Sequence, residues 1–283
     1  MSKPRISAYV FGTISVAFVA FVYVFLLAPV IVVIVASFDG GDPMAGRAFL
    51  KFPPNDWSAQ WFFRIPDRLF DALWVSIAVA FTATVGGIVI GVPAALALVR
   101  GRFWGKSLIE PLIRAPLQIP FIVIGVAFLQ SFYFVADVTG ININGTFLAL
   151  ALGHMFVCTP YVIGSVGAVL HRFNLSLEEA ALSLGASRWT TFRRVTLPII
   201  MPGIYTGGLF GFMVSFGDIP ISLFLASPKY MTLPLEIYHS MEFDFDPAVL
   251  PISTMVVIGS GLILWVIQRV VGLDVLLRSG GTG

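Results

Sequence analysis

The chain has little of the charge that keeps a soluble protein in water. Only 11% of its 283 residues are charged and 58% are hydrophobic, whereas charged residues make up about 25% of an ordinary soluble domain. The one cysteine, Cys158, lies within an apolar run, which excludes a disulfide framework. We therefore expect one integral membrane domain, and an all-α one, because lipid offers no partner to unpaired backbone groups.

Charge is absent from six long stretches of the chain. A helix needs about 20 apolar residues to cross the hydrocarbon core of a bilayer, and each of these stretches is long enough. They are Ile6–Phe38, Ala72–Val99, Ala115–Ala136, Val138–Leu170, Val195–Gly217 and Ala248–Gln268. The polar start of the fourth predicts a turn, with the helix beginning near Thr146. The sequence thus predicts six transmembrane helices.

The basic residues are concentrated on one side of these predicted helices. Twelve of the 17 Lys and Arg residues lie at the N-terminus, in the second and fourth loops, or in the tail: Lys3, Arg5, Arg100, Arg102, Lys106, Arg114, Arg172, Arg188, Arg193, Arg194, Arg269 and Arg278. The opposite loops hold Arg47, Lys51, Arg64, Arg68 and Lys229, and more acids than bases. By the positive-inside rule, both termini and the fourth loop are cytoplasmic. We expect a multi-pass protein of a bacterial inner (plasma) membrane.

The chain lacks the motifs of a protein that supplies its own energy. Gly101 and Gly105 precede Lys106 and Ser107, but three residues separate the glycines where a phosphate loop has four, and a predicted transmembrane helix precedes them instead of a strand. A secondary transporter usually carries charge pairs in the membrane, whereas Asp218 has no basic partner in its run. Neither an ATPase nor a stand-alone transporter is favoured, although the second remains an alternative.

The fourth loop contains a polar segment, Ser176–Val195, which we call the coupling segment. Ser176 and Glu179 have the spacing of a capping box, with Ser176 as N-cap. A short amphipathic helix follows, and Gly185 stands where a left-handed residue would end it. Ser187 can cap a second short helix. We expect Leu197-Pro198 to end that helix and to start the fifth span. An amphipathic linker lying on the bilayer surface is the alternative.

The same residues carry a family resemblance. Glu179-Ala180-Ala181, three residues, Gly185, nine residues and Val195-Thr196-Leu197-Pro198 resemble the EAA loop of ABC-importer permeases, Glu-Ala-Ala-x3-Gly-x9-Ile-x-Leu-Pro, with Val195 for Ile. The resemblance implies a type I ABC importer permease fold of six transmembrane helices, with a coupling helix between spans 4 and 5 that an ATPase subunit grips. The residues it assigns to ATPase coupling are Glu178, Glu179, Ala180, Ala181, Gly185, Ala186 and Arg188.

The resemblance also implies a division of the chain and a set of partners. Residues 1–69 would form the first transmembrane helix and an outer loop, residues 70–270 the permease core of five helices, and residues 271–283 a cytoplasmic tail. The expected partners are a second homologous permease, two ATPase subunits, a periplasmic substrate-binding protein and the lipid bilayer, with no nucleic acid. The chain itself would hold no cofactor or metal, since ATP and Mg would be bound by the ATPase subunits.

A second patch resembles the second permease of spermidine/putrescine-type importers. It runs Phe216-Gly217-Asp218-Ile219-Pro220, then Ser227-Pro228 and Thr232 to Tyr238, with Gly217 where the family has Asp. The resemblance implies a polyamine or a related small cationic or amino compound as substrate. Importers of ferric ion and of aminoethylphosphonate share much of the pattern and remain alternatives.

Residues in and after the fifth span are candidates for the substrate pathway. Asp218 is expected either to bind a cationic group of the substrate or to be a charge at the membrane interface. Ser215, Ser222 and Tyr205 are the further candidates. We expect His154 to make an interhelical hydrogen bond, and Asp244 and Asp246 are candidates for contact with the binding protein. A glycine stripe at Gly203, Gly207 and Gly211 predicts close packing, within this chain or against the partner permease.

Overall fold

The computed structural model describes residues 6–41, 52–243, 245–267 and 269. Within them the chain folds into helices: α1 (Ile6–Ala36), α2 (Asp67–Arg100), α3 (Lys106–Arg114), α4 (Phe121–Thr139), α5 (Phe147–His171), α6 (Ser176–Ser183), α7 (Arg188–Thr191), α8 (Leu197–Phe216), α9 (Pro220–Leu225), α10 (Leu233–Glu242) and α11 (Val249–Ile267). The predicted tail 271–283 and the charges at Lys3, Arg5, Asp42, Arg47, Lys51, Asp244 and Arg278 lie outside these residues.

The all-α membrane fold predicted from composition is confirmed. Five helices of the described chain are long and apolar enough to cross a membrane: Ile14–Ala36, Asp67–Arg100, Phe121–Thr139, Phe147–His171 and Arg188–Phe216. The sixth predicted stretch forms α11, within which Val249–Ile263 is apolar but shorter than the other five. The count of six spans therefore stays a prediction.

Two helix starts show how local chemistry sets the boundaries. Thr146 caps α5, accepting a hydrogen bond from the backbone N–H of Ala149 at 3.3 Å, so the predicted start near Thr146 is confirmed. The predicted start of the third span at Ala115 is wrong. Ala115–Leu117 forms a separate 3-10 turn, and α4 begins at Phe121 after an extended Pro120. Proline disfavours helical conformation in the residue before it, so Pro120 ends the helical conformation at Ile119 and separates the turn from α4.

The chain divides into two compact units, Met1–Leu69 with Ser240–Trp265 and Phe70–His239 with Val266–Gly283. In the first unit, the segment after α1 folds back on the helix end. Gly40 donates its N–H to Asp56 O at 2.7 Å, and Ser58 donates to Phe38 O at 2.8 Å. This pairing leaves Phe63 88% exposed, as expected of an aromatic side chain at a membrane interface.

In the second unit, α5 is the central helix, and glycines from α8 bring the two backbones together. A Cβ atom at Gly207 would lie 2.7 Å from Val162 Cα, and one at Gly203 would lie 2.9 Å from Ser165 O. On α2, Gly91 meets Val162 in the same way, at 2.9 Å from its Cβ. The predicted glycine stripe therefore packs within this chain, the first of the two alternatives.

Candidate functional site

The coupling segment forms a helix, a sharp reversal and a second helix. α6 ends in a Schellman motif, in which Ala186 N–H donates to Ala181 O at 3.1 Å and Gly185 N–H to Leu182 O at 3.0 Å. Gly185 has φ +86°, a conformation that costs residues with a Cβ about 1–2 kcal/mol. The predicted left-handed glycine at the end of α6 is confirmed.

The start of α6 differs from the prediction. Ser176 is the first residue of the helix and not its N-cap. Asn174 has the capping role instead, since its Oδ1 accepts hydrogen bonds from Ser176 N at 3.1 Å and Ser176 Oγ at 2.8 Å. An Asn side chain readily accepts a hydrogen bond from the backbone N–H two residues ahead, so Asn174 displaces Ser176 as the cap. The cap therefore lies two residues nearer the N-terminus than predicted.

The second half of the coupling segment runs without interruption into the next span. Ser187 caps α7 as predicted, with its Oγ accepting from Thr190 N at 3.2 Å. Leu197-Pro198 starts the helix of the fifth span as predicted, since α8 begins at Leu197, but the predicted stop before it is wrong. A π-helical turn, Phe192–Thr196, joins α7 to α8, and Pro198 lies in the first turn of α8, where a missing N–H breaks no helical bond.

Most of the residues assigned to ATPase coupling face outward. Glu179, Ala180, Gly185 and Arg188 are exposed, whereas Ala181 and Ala186 are half-buried. Two large apolar side chains that sequence reasoning did not select, Leu184 and Trp189, are 89% and 69% exposed on the same segment. Exposed apolar groups clustered in this way are typical of a protein interaction surface.

Glu178 differs from the other coupling residues because its carboxylate interacts with other side chains of this protein. Arg100 Nη1 lies 2.9 Å from Glu178 Oε1 and donates to Oε2 at 3.1 Å. The Thr196 hydroxyl donates to the same carboxylate, and the Arg100 guanidinium lies 4.9 Å from the centre of the Phe173 ring. These four residues, which we call the brace, join α6 to the last residue of α2 and to the π-helical turn before α8.

At the other end of this helix bundle, three of the four pathway candidates meet around His154. Its Nδ1 lies 2.8 Å from Ser215 Oγ, its Nε2 lies 3.2 Å from Ser222 Oγ, and Asp218 Oδ2 is 3.8 Å from Nε2. All four side chains are buried, and the expected interhelical hydrogen bond of His154 is confirmed. Tyr205, the fourth candidate, is 59% exposed and lies outside this polar cluster.

Asp218 lies where the chain unwinds between α8 and α9. Its Oδ2 accepts the N–H groups of Ile221 and Ser222, each at 3.0 Å, so the carboxylate caps α9. The residue is 5% exposed, and its Oδ1 has no hydrogen-bond partner. The geometry fits a helix cap, while a role as substrate ligand stays a prediction.

The cap leads to a stability prediction. We expect Asp218→Ala to lower the free energy of unfolding by about 1–2 kcal/mol, because two N–H groups lose their acceptor. Asp218→Asn keeps an acceptor oxygen and should be at least as stable as the wild type. Thermal unfolding of the purified chain in detergent measures both, and equal stability of the Ala and Asn variants would contradict the capping role.

The geometry defines a multi-pass helical membrane protein, with apolar helices of span length, a tightly packed bundle and an exposed helix–Gly–helix segment. A family model described as "Binding-protein-dependent transport system inner membrane component" matches residues 87–274. This match covers more than half of the chain, and the protein belongs to this family.

Relatives and a solved structure agree with this assignment. The putrescine transport system permease protein PotI of Escherichia coli is 30% identical over 85% of this chain and 84% of its own length. The spermidine/putrescine transport system permease protein PotC of Haemophilus influenzae is 31% identical over 86% and 91%. The fold matches a bacterial ABC transporter involved in the import of the acidic polysaccharide alginate, with TM-score 0.72, 19% identity and coverage of 95% of this chain and 99% of that one. The protein is thus a permease subunit of an ABC importer, a membrane component with no catalytic role.

Proposed function

We propose that this chain forms half of the translocation pathway of an importer for a polyamine, putrescine or spermidine, or a related small cationic amino compound. A second homologous permease would supply the other half, and a periplasmic binding protein would deliver the substrate. The observation that carries the substrate class is the similarity to PotI and PotC over most of the chain, which includes the patch from Phe216 to Tyr238.

The energy would come from two ATPase subunits that hold ATP and Mg, one bound to the coupling segment of this chain and one to the second permease. The ATPase on this chain would contact the exposed face of Glu179, Ala180, Gly185 and Arg188, with Leu184 and Trp189 entering an apolar cleft. ATP binding would draw the two ATPases together and shift the bundle to its other conformation, because ligand binding changes a conformational equilibrium only through differential affinity.

The orientation follows from charge. Arg100, Arg114, Arg172 and Arg188 lie at helix ends or loops on the coupling-segment side of the second unit. The positive-inside rule therefore favours a cytoplasmic coupling segment and cytoplasmic termini. Cysteine labelling from each side of intact cells, at a Cys introduced in place of Ser183, tests this orientation directly.

The assembly is tested by purifying the tagged chain from its own membrane and identifying what remains bound. We expect an ATPase and a second permease to co-purify and uptake to require ATP. Transport by the isolated chain without ATP would contradict the proposal and favour a secondary transporter.

The substrate is tested separately, by calorimetry on the periplasmic binding protein proposed to deliver it. We expect it to bind putrescine or spermidine and not ferric ion or aminoethylphosphonate. Uptake by Asp218→Asn then tests the ligand role of the carboxylate. If that carboxylate binds the cation, uptake of a diamine falls while the variant stays folded, and unchanged uptake kinetics would remove Asp218 from the pathway.

A further inference from the structure

Two adjoining cavities lie along one side of the helix bundle in the second unit. The first, a cavity of about 420 Å³ between α2, α3 and α5 at the coupling-segment end, has Lys106, Arg114 and His171 in its wall and Glu110 as its acid. We call it the basic cavity. The second, of about 610 Å³ and lined by apolar side chains apart from Thr159, is the apolar groove. They share Ile113, Pro160 and Ile163 in their walls, so they lie side by side.

The charges of the basic cavity favour an anion. Arg114 Nη2 pairs with Glu110 at 3.2 Å, and Lys106 Nζ donates to Gly101 O at 3.2 Å, which uses one of its three donors. Glu110 therefore offsets one of the two permanent positive charges, and the cavity keeps an excess of positive charge. The Arg114 side chain is 64% exposed, so it can turn to a ligand that enters from the membrane side.

The dimensions of the apolar groove favour an acyl chain. On α5 the groove extends from Ile163 to Leu152, about 16 Å at a rise of 1.5 Å per residue. This is the depth of one leaflet of a hydrocarbon core about 30 Å thick. Next to the groove, the wall of the basic cavity is open at Gly164, where an added Cβ would meet nothing within 4 Å.

The helix α3 places these features at the membrane interface. Leu108 and Leu112, four residues apart on α3, form an apolar stripe that is 72% and 71% exposed, and Trp104, two residues before the helix, is 97% exposed. Lys106 and Glu110, on the other side of the same turns, line the basic cavity. A helix with a basic polar side and an exposed apolar side, preceded by an exposed Trp, is typical of the level of the lipid headgroups.

We propose that this side of the permease is a binding site for one anionic phospholipid. Its headgroup phosphate binds Lys106 and Arg114 in the basic cavity, and an acyl chain lies in the apolar groove. Basic sites between transmembrane helices on the cytoplasmic side select anionic headgroups in this way. The site needs only this chain in a bilayer, and it is independent of the substrate and of ATP coupling.

The test is native mass spectrometry of the purified transporter, from nanodiscs with phosphatidylglycerol or with phosphatidylcholine alone. We expect one phosphatidylglycerol retained per copy of this chain, and no phosphatidylcholine. The double variant Lys106→Gln with Arg114→Gln removes two positive charges and should reduce retention of phosphatidylglycerol about 30-fold. Gly164→Leu, which fills the opening and replaces a poor helix former, should also displace the lipid.

Two variants serve as matched controls. Arg102→Gln with Arg193→Gln removes the same charge from residues outside the cavity, and Gly259→Leu adds the same side chain at another open helical glycine. Both should retain the lipid. The proposal would be overturned if both lipids were retained equally, if both cavity variants retained phosphatidylglycerol, or if inorganic phosphate alone displaced it. Cross-linking of the second permease, in the assembled wild type, to a Cys placed at Leu152 would also overturn it.

Discussion

Gly185→Asp is expected to reduce ATP-driven uptake to background while leaving the chain inserted in the membrane. The reversal between α6 and α7 depends on a positive φ at this residue, and an Asp there adds backbone strain and a charge on the surface proposed to bind the ATPase. The strain alone is worth about 1–2 kcal/mol, or a factor of about 5–30 in an equilibrium. Complete loss therefore requires the second effect, disrupted ATPase binding. Uptake in proteoliposomes measures the loss of transport, and co-purification of the ATPase measures the loss of its binding.

Two further variants separate strain from charge. Gly185→Ala introduces the strain without the charge and should retain a reduced but measurable uptake. Gly140→Asp introduces both at a left-handed glycine that ends α4, where an added Cβ also meets nothing within 4 Å, and it should transport normally. Normal uptake by Gly185→Asp, or equal loss in Gly140→Asp, would be incompatible with this role of Gly185.

Reversing one charge of the brace is expected to uncouple ATP hydrolysis from uptake. Arg100→Glu or Glu178→Arg places like charges at an ion pair of 2.9 Å whose side chains are 28% and 18% exposed. Contacting residues of this kind have interaction energies of about 1–3 kcal/mol, which is about 5- to 150-fold in a coupled equilibrium. We expect the ATPase to stay bound and active while substrate transported per ATP falls by that factor.

The double exchange Arg100→Glu with Glu178→Arg restores the attraction and should recover most of the transport per ATP. Glu179→Arg is the matched control, since it makes the same change one residue further on, at an exposed side chain. It should weaken ATPase binding, and Arg100→Glu should not rescue it. A double exchange that performs no better than the single variants would mean that the brace does not transmit the movement.

Features that depend on a few neighbouring residues were predictable from the sequence. The left-handed Gly185, the Ser187 cap and the start of α5 after Thr146 each follow from turn or cap chemistry within four residues, and the structure confirms them. The errors arose where two local solutions compete. Asn174 and Ser176 can both cap α6, and Asn174 does so. Pro198 can end one helix or begin another, and the π-helical turn before it allows the second.

Contacts between distant parts of the chain were not predictable from one sequence. Arg100 and Glu178 are 78 residues apart, and His154 and Ser215 are 61 apart. Arg100 was therefore interpreted only as a charge that orients the protein, and Glu178 as one more residue of the coupling surface. Ser215, Asp218 and Ser222 were named as pathway candidates, but their meeting at His154 was not predicted, and the fourth candidate, Tyr205, lies outside the cluster. A carboxylate in an apolar run indicates a buried partner or a ligand, but it does not indicate that two backbone N–H groups bind it.

The glycine contacts between α5 and α8 hold the backbones of the two helices directly against each other. Side chains that interlock can change rotamer and let helices slide, whereas two backbones in direct contact, as at Gly207 and Val162, have no such freedom. If an ATPase moves the coupling segment as proposed, the two helices on either side of it would tilt together as a rigid unit about 30 Å long. A tilt of about 5° at the coupling-segment end would move the far end, where His154 and Asp218 meet, by about 2.6 Å, close to the length of one hydrogen bond. A small rotation of the ATPase would then become, at the opposite end of the bundle, a displacement large enough to exchange one set of polar partners for another.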